Sequence, residues 1–186
     1  MNAEELGSSR VLNWLVKPAG MMMGSRLRGW LLSPMRTLRG ADIQPGERVL
    51  EVGCGTGFFT IPAAQLLGEE GRLVAMDPVL GFVDQVSKRV EAADLTNVEV
   101  VRRDALETGL GDASVDTALV FGVLPWPALP LSRLLPEMHR VLRPAGRMSV
   151  WLFPPLVHSW VHRAICRSGL FRYMGKRNGV YNYRRS

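Results

Sequence analysis

At 186 residues the chain holds one domain around a single core and leaves little room for a second. Its 47% hydrophobic and 22% charged residues, with 19 Gly and 12 Pro, belong to a folded globular protein and exclude a disordered or fibrous one. The formal net charge of +6 is unevenly spread: residues 1–40 carry six basic and two acidic side chains, residues 41–150 ten and fifteen, and residues 151–186 seven and none.

The acidic middle is therefore flanked by basic ends, which either meet an anionic lipid or nucleic acid backbone or are simply solvated surface. In chain order, Val11 to Val16 and then Met21 to Leu38 form apolar stretches studded with Arg26, Arg28, Arg36 and Arg39. Pro18 and Gly20 separate them, and Pro34 kinks or restarts the second. This segment, residues 1–40, reads as amphipathic basic helices set apart from a domain over 41–186. As a lid or anchor it would bring Trp14, Met21, Met22, Met23 and Trp30 over an apolar substrate or into lipid; alternatively its Met face packs on the core. Met22 and Trp30 are taken as candidate substrate contacts.

From residue 46 onward, short apolar runs alternate with longer helical ones, the pattern of βαβ units and a parallel sheet. Strands are expected at Arg48–Val52, Arg72–Met76, Val98–Arg102, Asp116–Phe121 and Arg147–Phe153, each apolar enough to be covered on both faces. Helices are expected at Phe58–Leu67, Phe82–Ala93, Leu129–Leu142 and Leu156–Arg167, where apolar residues recur at three and four. Gly68, Gly146 and Gly169 mark helix ends or the turns that follow. At the C-terminus, Phe171–Met174 and Val180–Tyr183 flank Asn178-Gly179, the pair that favours a tight hairpin, so an antiparallel pair closes the sheet.

The chain has two cysteines, Cys54 and Cys166, too few for a disulfide framework or a cysteine zinc site and suited to a reducing cytoplasm. No run of eighteen apolar residues marks a span, and the N-terminus lacks the order of a secretory signal. A cytoplasmic protein is expected, with basic ends suited to peripheral contact with the inner face of the membrane.

Val49-Leu50-Glu51-Val52-Gly53-Cys54-Gly55-Thr56-Gly57 ends a buried strand and opens a helix, where backbone amides can hold a polar ligand. The dehydrogenase pattern G-x-G-x-x-G fails, because Phe58 stands where the third glycine belongs. Asp77 follows the apolar run Leu73 to Met76, and its carboxylate at a strand's carboxyl end would reach a ribose diol or cap the next helix. Asp104 follows the Val98–Arg103 run in the same way.

With an acid before G-x-G-x-G, this segment resembles the first motif of class I S-adenosylmethionine-dependent methyltransferases, and the order of elements agrees over residues 45–186. The resemblance is to the broad type 11 group that includes ubiquinone and menaquinone biosynthesis and phospholipid methyltransferases. It implies a Rossmann-like, doubly wound α/β sheet of seven strands in the order 3-2-1-4-5-7-6 with an antiparallel last strand, preceded by N-terminal helices. It implies S-adenosyl-L-methionine as cofactor, with Glu51, Gly53, Cys54, Gly55 and Gly57 at its methionine end. Asp77 and Pro78 would stand at the ribose, Asp104 and Ala105 at the adenine, and Phe121 beside the cofactor after the fourth strand.

Trp126, after that strand, is the candidate substrate contact where many relatives carry a histidine, and Tyr181 is another. No histidine base is supported at Pro125-Trp126. The N/D-P-P-Y/F motif of nucleic acid and protein-glutamine methyltransferases is missing after this strand, and no Pro-Cys nucleophile occurs. His158 and His162 lie one helical turn apart without the His-Glu-x-x-His pattern, so no metal site is expected, and His139 reads as a packing residue. Methyl transfer to a small, apolar or lipid-like acceptor such as a quinone follows, with nucleic acid disfavoured. The competing readings are an RNA or protein methyltransferase, favoured by the basic ends, and a catalytically silent cofactor-binding protein.

Overall fold

The computed structural model of the chain describes residues 33–124, 128–152 and 158–186. Its strands are β1 (Arg48–Val52), β2 (Arg72–Asp77), β3 (Val98–Arg102), β4 (Val115–Phe121), β5 (Leu142–Trp151), β6 (Phe171–Arg177) and β7 (Val180–Arg185). The helices are α1 (Pro34–Ala41), α2 (Thr60–Leu67), α3 (Leu80–Ala92), α4 (Leu131–Val141) and α5 (His158–Arg167). The strands form one seven-stranded sheet in the order β3-β2-β1-β4-β5-β7-β6. β1 to β5 pair in parallel and β7 runs antiparallel to both β5 and β6, as the sequence leads one to expect.

Alternation along each strand feeds two cores. Val49, Leu73, Leu119, Phe121 and Trp151 face α1 and α2, where Leu38, Ala41, Phe59, Ala63 and Leu67 are buried against them. Leu50, Val52, Ala118, Val120, Met148 and Val150 face α4 and α5, meeting Leu134, Met138, Val161 and Ile165. Glu51 lies between Leu50 and Val52 and so points to the α2 side, a placement that later matters for its charge.

Pro34 opens a helix, with the Ser33 hydroxyl accepting the Arg36 amide at 3.3 Å as an N-cap. α1 is docked on the hairpin: Asn182 Nδ2 donates to Gly40 O at 2.9 Å and Asn178 Nδ2 to Arg36 O at 3.0 Å. A Cβ on Gly40 would fall 2.4 Å from Arg177 O, so this crossing requires glycine. The end of the segment expected as lid or anchor thus packs on the sheet, while Trp14, Met21, Met22, Met23 and Trp30 lie outside the described residues.

Other boundaries shift for local reasons. α2 begins at Thr60, two residues after the expected Phe58, because Gly57 at φ +77 prolongs the turn and Phe59 sets its ring edge-on to Phe121 at 5.1 Å. Gly68 caps α2 as expected, donating to Ala64 O at 3.2 Å. Leu142 leaves α4 and pairs with Val115, so Gly146, expected in a turn, lies inside β5 beside a register shift. Asn178 and Gly179 both have positive φ, 49 and 84, which is the primed turn the pair favours.

The connection from β3 to β4 is held to α4 by Glu137. Thr108 is fully buried, and its amide and hydroxyl donate to Glu137 Oε1 at 2.9 and 2.6 Å. Arg140 Nε donates to Glu137 Oε2 at 2.8 Å, while Arg140 Nη1 reaches Leu110 O at 2.8 Å and Asp112 at 2.6 Å. The Arg140 hydrogen bond leads the effects that hold the Glu137 carboxyl down at about 2. Glu137→Ala strands the buried Thr108 donors, and urea denaturation should show a loss of roughly 1–3 kcal/mol. Since folding lowers this pKa, the loss should be full above pH 4.5 and shrink as pH falls towards about 2; a loss independent of pH would contradict that ion pairing.

Candidate functional site

The strand order reverses between β1 and β4, which opens a crevice at the carboxyl ends of these strands. The glycine turn after β1 lines one side and Phe121-Gly122-Val123 after β4 the other. Gly53, Gly55 and Gly57 have φ of +70, +52 and +77, a region that strains any residue with a side chain. A Cβ on Gly53 would meet Val123 Cγ1 at 2.4 Å and one on Gly57 would meet Val86 Cγ2 at 3.2 Å. A Cβ on Gly55 would meet nothing within 4 Å, so Gly55 is the crest of the turn beside open space.

Four amides of the turn are spent inside the protein. Gly53 N and Cys54 N both donate to Met76 O at 2.9 Å, and Gly57 N donates to Cys54 O at 2.9 Å. Gly55 N donates to Asp77 Oδ2 at 3.0 Å. The expectation that these amides hold a ligand is therefore corrected, for a phosphate cradle needs them free. What faces the crevice is the bare crest of the turn above carboxylates, an arrangement that favours a cation.

Two of those carboxylates are buried and share one face of the sheet. Glu51, 3% exposed, accepts the Thr60 hydroxyl at 2.6 Å. Burial pushes its carboxyl up to about 8; the Thr60 bond opposes this and the negative field of Asp77 adds to it. Asp77, 6% exposed, is also raised by burial, against the hydrogen bonds from the Val79 and Gly55 amides. Its Oδ1 accepts Val79 N at 2.9 Å, a turn two residues on rather than the helix cap that was the alternative, and each oxygen keeps a second lone pair. Burial, with the fields of Glu51 and Asp77, also drives the Cys54 thiol upward, so it is an inert packing group.

Asp104 stands just beyond β3. Its Oδ1 accepts Leu106 N at 2.9 Å, and Oδ2 has no partner among the described residues. Ala105 beside it is buried. Pro78 is exposed on the rim, its carbonyl accepting Arg102 Nε at 3.2 Å. The chain thus gathers an acid pair beneath the glycine turn, with a further acid one strand away at the end of β3, a set whose donors and acceptors fit an adenosyl group carrying a positive charge.

A methyltransferase-domain family model matches residues 49–146. The chain is 32% identical over 124 residues to the demethylmenaquinone methyltransferase of Bacillus cereus, an alignment covering 66% of this chain and 50% of that one. It therefore spans about half the length of the curated relatives it matches. Among solved structures it resembles a SAM-dependent methyltransferase from Aquifex aeolicus, with TM-score 0.74, 22% identity and coverage of 90% and 96% of the two chains. It also resembles the geranyl diphosphate C-methyltransferase of Streptomyces coelicolor, solved with S-adenosyl-L-homocysteine, at TM-score 0.65 and 14% identity over 77% and 62%. The chain belongs to the class I S-adenosylmethionine-dependent methyltransferases.

The remaining expected contacts are dispersed. Phe121 turns its ring into the core against Phe59, leaving only its main chain at the crevice. Tyr181 lies on β7, three strand spacings or about 14 Å across the sheet from β1. Its ring packs with His162 at 5.5 Å and under Lys176 Nζ at 4.6 Å, the half-buried strand packing that was its alternative reading. Trp126 lies outside the described residues. His139 stacks edge-on to Phe171 at 5.9 Å, a packing role.

Sequence reasoning missed four supports of the candidate site: Thr60, the Val79 amide, Val123 and Arg89. Arg89 on α3 donates to Thr56 O and so clamps the turn from above. Thr60 alone carried a signal, being the first helical residue beyond a turn that follows a buried acid.

Folding raises Glu51 from 4.5 to about 8, so the folded chain keeps a proton that the unfolded chain releases. The stability this acid contributes is whole below pH 4.5 and is lost as pH rises to about 8. Melting temperatures should therefore fall for the native chain relative to Glu51→Gln across that window; parallel pH profiles would contradict it. Gly53→Ala, strained at φ +70 and pressed on Val123, should lose more than tenfold in cofactor affinity by calorimetry, a loss Val123→Ala partly restores.

Proposed function

We propose that the protein transfers a methyl group from S-adenosylmethionine to a small, apolar acceptor of the lipid or quinone kind. One observation carries the cofactor end of this reading: the glycine turn has its amides occupied and stands above two buried carboxylates, which favours a cation over a phosphate. The cofactor supplies an electrophilic methyl on its sulfonium, so the protein need only align a nucleophile behind it and keep water out.

The chain's own groups divide the work. Asp77 accepts the ribose hydroxyls on the lone pairs that Gly55 N and Val79 N leave open. Asp104 Oδ2 accepts the adenine amino group, next to Ala105. Glu51, ionised when a cation arrives, sets the field at the methionine end. Trp126, in the segment after β4, contacts the acceptor.

Three things support an apolar acceptor: the absence of nucleic acid and protein-glutamine motifs after β4, the apolar N-terminal stretches, and the demethylmenaquinone methyltransferases among the relatives. Titration calorimetry should show S-adenosylmethionine binding, weakened about tenfold to a hundredfold by Asp77→Ala as the ribose bonds are lost. No binding by the native chain would overturn the cofactor reading. With methyl-labelled cofactor, mass spectrometry should find label in the lipid and quinone fraction of a cell extract. Label confined to RNA or protein would overturn the acceptor reading alone.

A further inference from the structure

We infer that the face built by α5 and β6 docks on an anionic lipid bilayer. Four large apolar side chains are exposed among the described residues, and three of them, Trp160 at 56%, Tyr173 at 39% and Met174 at 47%, stand on these two elements. Trp160, Arg163 and Arg167 recur at helical spacing along one exposed stripe of α5. Lys176, paired with Tyr181 on the side that α5 covers, adds charge on the neighbouring edge strand. None of these three cations has an ion-pair partner among the described residues, and residues 151–186 contain no acid at all.

Basic side chains on an edge strand alone would guard against edge-to-edge pairing. That role leaves the exposed indole, phenol and thioether unexplained. An aromatic and a Met interleaved with uncompensated cations match a bilayer interface, where rings sit at headgroup level and each cation meets anionic lipid. The Tyr173 ring is also held in place: it packs edge-on to His162 at 4.6 Å, and His162 Nδ1 bonds the buried Tyr183 hydroxyl at 2.9 Å. The face is thus a rigid platform rather than a loose tail.

The topology also aims it. β5 ends at the carboxyl edge that carries the crevice, and β6, parallel to β5 through β7, starts at the opposite edge. α5 therefore runs from the crevice edge backwards, which puts Trp160, in its first turn, at the edge of the sheet that carries the crevice. The inference stands whichever acceptor the site takes, because its test reads binding without turnover.

The full chain is mixed with vesicles of phosphatidylcholine alone or with phosphatidylglycerol and partitioning is measured by flotation. The native chain should bind the anionic vesicles, less tightly as salt rises, and leave the neutral ones. Combined Arg163→Gln, Arg167→Gln and Lys176→Gln should lower partitioning about a hundredfold, each cation contributing a factor of about five. Trp160→Ala, at a mostly exposed position, should weaken binding while keeping its salt dependence. Both variants should keep the native melting temperature and cofactor affinity. Equal flotation of native chain and triple variant would overturn the inference, as would retention on RNA without vesicle binding.

Discussion

Three successive amides of the glycine turn, those of Gly53, Cys54 and Gly55, all donate into the carboxyl end of β2, two to Met76 O and one to Asp77. This stitch between neighbouring strands fixes the turn before any ligand arrives. It requires positive φ at the glycines, it needs β2 to end level with β1, and it places Asp77 under the crest of the turn. Everything the site can do follows from amides that point inward and carboxylates that remain.

The electrostatic consequence is a separation between two kinds of glycine-rich turn that look alike in sequence. A turn with free amides at a helix start holds a phosphate. Here the amides are spent, and Glu51 and Asp77 lie buried a few ångströms away with their carboxyls raised by desolvation. A buried acid kept neutral is a charge held in reserve: an arriving cation pulls it towards the ionised form, so affinity for a positive ligand grows out of burial itself. The same burial makes Glu51 a cost to the empty fold above neutral pH, a compromise often found where function needs an ionisable group inside.

The sheet could be read from the sequence because its central strands are apolar on both faces and separated by glycine and helical periodicity, as at Val49–Val52 and Ala118–Phe121. The hairpin could be read from Asn178-Gly179 alone, since few other pairs accept two positive φ values. Helix starts were harder. Phe58 and Phe59 suit a helix by pattern, yet the turn runs on to Thr60 because tertiary packing of Phe59 on Phe121 decides it. Likewise Leu142 to Gly146 has the composition of a turn, and only its pairing with Val115 makes it strand. The acids at strand ends were legible as ligand groups, but the direction of the turn's amides was not, because hydrogen bonds between strands leave no mark on local sequence. Tyr181 had the right chemistry for a pocket, and cross-strand register put it instead against His162 and Lys176.

A neutral, buried Glu51 should become charged when a cationic cofactor occupies the site. Calorimetric titration of S-adenosylmethionine at pH 7, repeated in buffers of different ionisation enthalpy, reports the protons exchanged on binding. Release should approach one proton per cofactor bound and disappear in Glu51→Gln. Binding without proton release, or release unchanged in Glu51→Gln, would contradict it.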